Sequence, residues 1–308
     1  MRTVSSSNFA TFLGILAILF SSAVFGVAGN LAKEVGALTA GGMAFIVGGT
    51  LGLIPLLLSS SRRRDLLSLS RPYFVICGGL FVAYEVFLYL AIAMTADSRQ
   101  VIEVSILNYL WPTMTLLLSI PILKTRARPA LALGLCAAFG GAALALGKGK
   151  GLDVGQFRQN IQANWPPYLL ALMGAITWGL YSVMTRRLAA GSKGNAMPFF
   201  ILTSGVLLML LSAGRGEPRH WSARAMGELA FMTFVTALLT YVFWDIAMRR
   251  GRVVLVVALS YFTPILSLLL SSFYLKTPAG PSLWLGCLLV TVGAVICNYS
   301  LKEPATCA

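Results

Sequence analysis

The sequence predicts an all-α integral membrane protein, with ten transmembrane helices arranged as two inverted five-helix repeats around a central cavity. Three observations carry that prediction. Of 308 residues, 57% are hydrophobic and 11% are charged, with a mean hydropathy of +0.81, a balance foreign to a water-soluble domain of this length. Apolar windows of roughly 18 to 24 residues recur from end to end, each long enough at ~1.5 Å per residue to cross a ~30 Å hydrocarbon core. The second half also repeats the first at an offset of 152 residues: Tyr109 maps to Tyr261, Pro112 to Pro264, Ser119 to Ser271, Lys124 to Lys276, Gly134 to Gly286 and Gly141 to Gly293.

In order, the spans fall at 9–29, 38–58, 73–94, 101–123, 130–146, 167–187, 198–213, 226–248, 253–274 and 282–300. The first has Arg2 ahead of an apolar run and the small residues Ser21-Ser22-Ala23, as a signal peptide would. The duplication instead requires it as an uncleaved first helix. Pro72, Pro129, Pro167, Pro198 and Pro281 stand at span entries, where a helix has no N–H bond to lose. Pro55, Pro112, Pro121 and Pro264 lie inside spans and are expected to kink or open them. Five spans is an odd number, so the second half enters the membrane upside down relative to the first. The domains are then a first repeat at 9–147, a periplasmic linker at 148–166 and a second repeat at 167–301. Such inverted halves let a site between them open to one side and then the other.

The 24 Lys and Arg divide fifteen to nine between alternate connections, which puts both termini in the cytoplasm. The net charge of +14 thus reflects topology, and no nucleic-acid partner is expected. Cys77, Cys136, Cys287 and Cys297 lie within spans and His220 is the sole histidine. Neither a disulfide framework nor a metal or cofactor site follows. Asp97, Arg99 and Glu103 cluster at an outer connection and are expected to be solvated. Asp245, near the end of its span and four residues before Arg249, reads as half of a surface ion pair.

Counting ~1.5 Å per residue from the span starts, Tyr84, Glu85, Trp111, Trp178 and Tyr261 each fall near the bilayer centre. Aromatics with polar tips belong at interfaces, so central ones need a reason. Helix packing, with each tip bonded to a neighbouring carbonyl, is one. An aromatic cavity for an amphipathic organic molecule is the other. Glu85 at such depth must face a wet cavity, pair with a cation or stay protonated. Asn108 shares a helix face with Trp111, Trp178 with Tyr181, and Glu85 with Tyr89. Ser260 precedes Tyr261 where Pro264 loosens the helix. The candidate substrate contacts are therefore Tyr84, Glu85, Tyr89, Asn108, Trp111, Trp178, Tyr181, Ser260 and Tyr261. Pro112 and Pro264 are candidate hinges and Trp244 a candidate gate. Gly134 with Gly141, and Gly286 with Gly293, two turns apart, predict close helix packing. The stretch 147–151, Gly-Lys-Gly-Lys-Gly, has a phosphate loop's composition but not its spacing.

Two proline-bearing, leucine-rich spans, each followed by a short basic turn and a glycine-bearing span, resemble the drug/metabolite transporter superfamily with two EamA domains. More narrowly, Gly29-Asn30-Leu31-Ala32-Lys33 and Asn108-Tyr109-Leu110-Trp111-Pro112 look like the aromatic amino acid exporters within it. The resemblance implies a bacterial inner-membrane exporter of substrates such as phenylalanine, tyrosine and tryptophan, with a cavity framed by helices one, three, four, six, eight and nine; a monomer in the lipid bilayer is expected. One departure is that many EamA halves carry a Gly-Glu pair after their fourth helix, where this chain has Lys124-Thr125 and Lys276-Thr277. A phosphate- or nucleotide-sugar transporter of the same superfamily would need Lys or Arg deep in a span, and none lies there. Broad drug or metabolite efflux is the alternative that an aromatic cavity leaves open. An enzyme would need a nucleophile and base or a metal cluster, which one loop histidine does not supply.

Overall fold

The computed structural model describes residues 2–96, 100, 103–104, 107–146, 154–218, 220–263, 265–266 and 281–302. Backbone groups in an apolar medium must be bonded within their own segment, and nearly every described residue is helical. Helix α1 runs Arg2–Val35, longer at both ends than the span 9–29. Leu31, Ala32, Lys33 and Glu34 are strong helix formers, and the helix stops only at Gly36, whose φ of 91° an L side chain rarely adopts. Helix α2 (Ala37–Leu58) follows, then α3 (Ser60–Leu67), an exposed arginine-bearing turn capped by the Ser59 hydroxyl. A π-helical turn, Tyr73–Cys77, leads into α4 (Gly78–Ala93).

The span 101–123 is interrupted. Residues 107–108 are helical, Tyr109 and Leu110 form a turn, and α5 restarts at Trp111–Leu123 with Pro112 in its first turn, because proline has no N–H to offer the carbonyl four residues back, that of Asn108. Helix conformation continues through Pro55 and Pro121, so neither proline opens its helix. Pro264 lies outside the described residues, as do Asp97, Arg99, Lys276, Thr277 and the 147–151 stretch. The remaining helices are α6 (Ala130–Leu146), α7 (Val154–Ala163), α8 (Pro166–Ala189), α9 (Met197–Ala213), α10 (Ala223–Phe231), α11 (Tyr241–Arg250), α12 (Val253–Leu259) and α13 (Pro281–Ser300). A nine-residue π-helical stretch, Met232–Thr240, joins α10 to α11, and a 3₁₀ turn, Ser260–Phe262, follows α12. A two-residue antiparallel pairing of Arg126–Ala127 with Leu301–Lys302 ties the connection after α5 to the end of α13.

Among the described residues four helices are long and apolar enough to cross a membrane: Ala37–Leu58, Tyr73–Ala93, Pro166–Ala189 and Ala223–Arg250. The most intimate pairings are α6 with α13 and α2 with α9. Small residues permit both. A Cβ on Gly205 would lie 2.6 Å from the Ile46 nitrogen, one on Gly49 2.6 Å from the Leu202 nitrogen, and one on Gly141 2.8 Å from the Gly286 oxygen. Of the glycines picked out by the repeat, Gly141 thus meets Gly286 across α6 and α13, while Gly134 lies against Cys297 and Gly293 against Ala138.

Two acidic side chains expected in water are instead buried. Glu103 is 4% exposed, because the Tyr168 hydroxyl and the Asn160 amide donate to it from α8 and α7. Asn164, which follows α7 in the stretch expected to be a linker, donates to the Met94 carbonyl and to Gln100 Oε1. Asp245 and Arg249 do form the expected i,i+4 pair, but it is buried: their side chains are 0% and 1% exposed.

Candidate substrate cavity

A cavity of about 210 Å³ lies between α1, α2, α4, α8, the Met232–Thr240 stretch and α11. Along α1 it extends from Ala17 to Ala32, and it reaches Ala37 at the start of α2. Six of the nominated residues line it: Tyr84 and Tyr89 from α4, Asn108 and Trp111 at the interrupted helix, Trp178 from α8 and Trp244 from α11. Sequence reasoning left out Tyr109, Thr236, Thr240, Tyr241 and Thr263, which also line it. Tyr241 had a usable signal, since it stands three residues before Trp244 on one helix face.

Three tryptophans from three helices meet at one end of the cavity. Trp111 is edge-on to Trp244 (ring centroids 5.1 Å, interplanar angle 87°) and to Trp178 (6.2 Å, 80°), while Trp178 and Trp244 lie 5.9 Å apart at 34°. Tyr84 packs on Trp178 at 4.5 Å. Edge-to-face and tilted pairs are the favoured arrangements, worth ~0.5–1.5 kcal/mol each beyond burial. The cage is held from behind: Trp244 Nε1 donates to Ser182 Oγ at 3.2 Å.

Beyond the tryptophans, away from the Leu31–Ala37 end, sits the buried Asp245–Arg249 pair. The hydroxyls of Tyr73 and Tyr181 donate to Asp245 Oδ1 at 2.9 and 3.3 Å. Arg249 Nη1 donates to the Gly194 carbonyl and to Ser192, and Arg186 bonds the carbonyls of Arg249 and Gly251. Ionic burial is sustained where hydrogen bonds satisfy the remaining lone pairs and protons. The spacing alone did not reveal this, because the satisfying groups come from α8, the Tyr73 turn and the 192–194 loop.

The other nominated residues point elsewhere. Tyr181 is turned to Asp245. Tyr261 shares a 2.5 Å hydrogen bond with Thr113, and Ser260 Oγ donates to its own helix at Val257 O. Pro112 is buried in the first turn of α5. Glu85 is 0% exposed and off the cavity wall, with Tyr84, Tyr89 and Tyr241 within its electrostatic reach. The Tyr241 hydroxyl approaches it without closing a bond of regular geometry, and among the described residues neither carboxylate oxygen has a partner. Asn108 Oδ1 and Thr263 Oγ1 are likewise unpartnered there.

The model of the EamA-like transporter family matches residues 8–147 and 165–299. The chain is 30% identical over 298 residues to the aromatic amino acid exporter YddG of Salmonella typhimurium, covering 97% of this chain and 99% of that one. It is also 30% identical over 295 residues to YddG of Escherichia coli (96% and 98%) and over 305 residues to YddG of Ancylobacter novellus (97% and 100%). A solved crystal structure superposes with a TM-score of 0.77 at 26% identity, covering 94% of this chain and 97% of its own.

Proposed function

The chain belongs to the EamA-like transporter family, and we propose that it exports aromatic and other large neutral amino acids across the bacterial inner membrane by alternating access. The observation that carries this reading is the tryptophan cage. Trp111, Trp178 and Trp244 present ring faces and edges to a cavity that, among the described residues, is lined by no Lys, Arg or His. A substrate ring stacks there, and an anionic sugar phosphate finds no cation. The exporters named above match over nearly their whole length, which supports the same substrate class.

The architecture in this reading is ten helices in two inverted repeats, 9–147 and 167–301. The four longer and six shorter apolar helices and the sequence repeat support it. Tyr84, Tyr89, Asn108, Trp111, Trp178 and Tyr241 contact the substrate. Glu85 stands behind them, and Tyr181, Ser260 and Tyr261 hold the surrounding helices. With both termini cytoplasmic, the cavity faces outward, and Trp244 with the Asp245–Arg249 network closes the inner end. The break before Pro112 supplies one hinge and Pro264, its partner in the repeat, the other. The test is efflux: cells loaded with labelled tryptophan should lose it faster when they make this protein than when they carry an empty vector. Equal rates would reject the reading.

A further inference from the structure

A purely aromatic box does not call for Glu85. An ionised carboxylate within a membrane-spanning helix is costly unless a positive charge or hydrogen-bond donors compensate it, and among the described residues this one has no cation and only the approaching Tyr241 hydroxyl. The buried cations Arg249 and Arg186 belong to the other repeat and are engaged there, Arg249 with Asp245, Ser192 and Gly194 and Arg186 with the carbonyls of Arg249 and Gly251. Tyr84, Tyr89 and Tyr241 are neighbours of Glu85 and belong to the cavity wall. On that same wall Asn108 and Thr263 carry oxygens without partners. What these groups lack in common is a donor, and what Glu85 lacks is positive charge. A primary ammonium group supplies three N–H donors and that charge together, and the surrounding rings attract it further.

We propose that the cavity recognises the ammonium group of its substrate through Glu85, so that it accepts arylalkylammonium compounds whether or not they carry a carboxylate. The inference rests on reading this cavity as the transport site. A carboxylate meets no cationic side chain on the described wall, so removing it forfeits no ion pair. Removing the ammonium leaves Glu85 and the wall oxygens unpaired. Selectivity therefore follows the positive end of an amino acid and its ring.

The test is counterflow of labelled phenylalanine in proteoliposomes, with two competitors that each lack one charge: β-phenylethylamine and 3-phenylpropionate. The amine is expected to inhibit at concentrations within about threefold of unlabelled phenylalanine, and the acid to be at least about tenfold weaker. Labelled β-phenylethylamine should itself accumulate. Glu85→Gln should lose amine inhibition by about tenfold or more, and Glu85→Asp should retain most of it. If Glu85→Gln does not fold, the competitor pair on the wild-type protein still decides. Phenylalanine transport with the acid competing as well as the amine would overturn this inference and leave the export reading standing. Amine transport that depends on Glu85, without phenylalanine transport, would uphold the inference and overturn the amino acid reading. Transport of neither would overturn both.

Discussion

Replacing Asp245 by Asn puts the proposed inner closure under the most direct strain. The change keeps side-chain size but removes the countercharge of Arg249, whose side chain is 1% exposed. Breaking a buried pair by deleting one partner costs ~3–5 kcal/mol. Arg249 retains its bonds to Gly194 and Ser192, so the low end, about 3 kcal/mol, applies. At 1.4 kcal/mol per tenfold that is on the order of 100-fold in favour of states where the network is open. Cys77, fully buried at the end of the Tyr73–Cys77 turn, is a native reporter once the other four cysteines are replaced. Its reaction with a thiol reagent supplied from the cytoplasmic side should accelerate by roughly that factor. Adding Arg249→Met should recover much of the loss, since exchanging both partners for apolar or neutral groups leaves no stranded charge. Unchanged Cys77 labelling in folded Asp245→Asn protein would refute the assignment of this network as a closure.

Other changes probe the cage and the scaffold. Trp111→Ala removes edge contacts with both Trp178 and Trp244, and with one ring stack worth ~0.5–1.5 kcal/mol the half-saturating phenylalanine concentration should rise about three- to tenfold in folded protein; an unaltered value would take Trp111 out of the site. Gly205→Ala sets a Cβ 2.6 Å from the Ile46 nitrogen, where backbone must move, so it should destabilise by about 1–3 kcal/mol, read as a lowered midpoint of thermal unfolding in detergent. An unchanged midpoint would contradict the close packing of α2 on α9.

The helical character was legible in hydropathy because lipid and core ask for the same residues, and the glycine pairs were legible because backbone approach leaves few alternatives. Trp111 and Trp178 were found by depth, a one-dimensional quantity that survives without a structure. Orientation is what depth does not carry. Tyr261 is as deep as Trp111, yet its hydroxyl is bonded to Thr113. Thr236 was missed because the π-helical stretch Met232–Thr240 alters the side-chain register that a 3.6-residue period assumes, whereas Tyr241, in the regular helix that follows, could have been read from its spacing to Trp244. Asp245 was placed at a surface for a related reason: the pairing lies within four residues, while Tyr73 and Tyr181, which permit its burial, lie 172 and 64 residues away.

Counterflow in proteoliposomes tests the central claim most directly. Vesicles preloaded with unlabelled phenylalanine and diluted into labelled phenylalanine should show a transient accumulation with the wild-type protein and little with Trp111→Ala/Trp178→Ala. Accumulation no greater than in protein-free vesicles, or undiminished in the double variant, would contradict an aromatic amino acid path through the tryptophan cage.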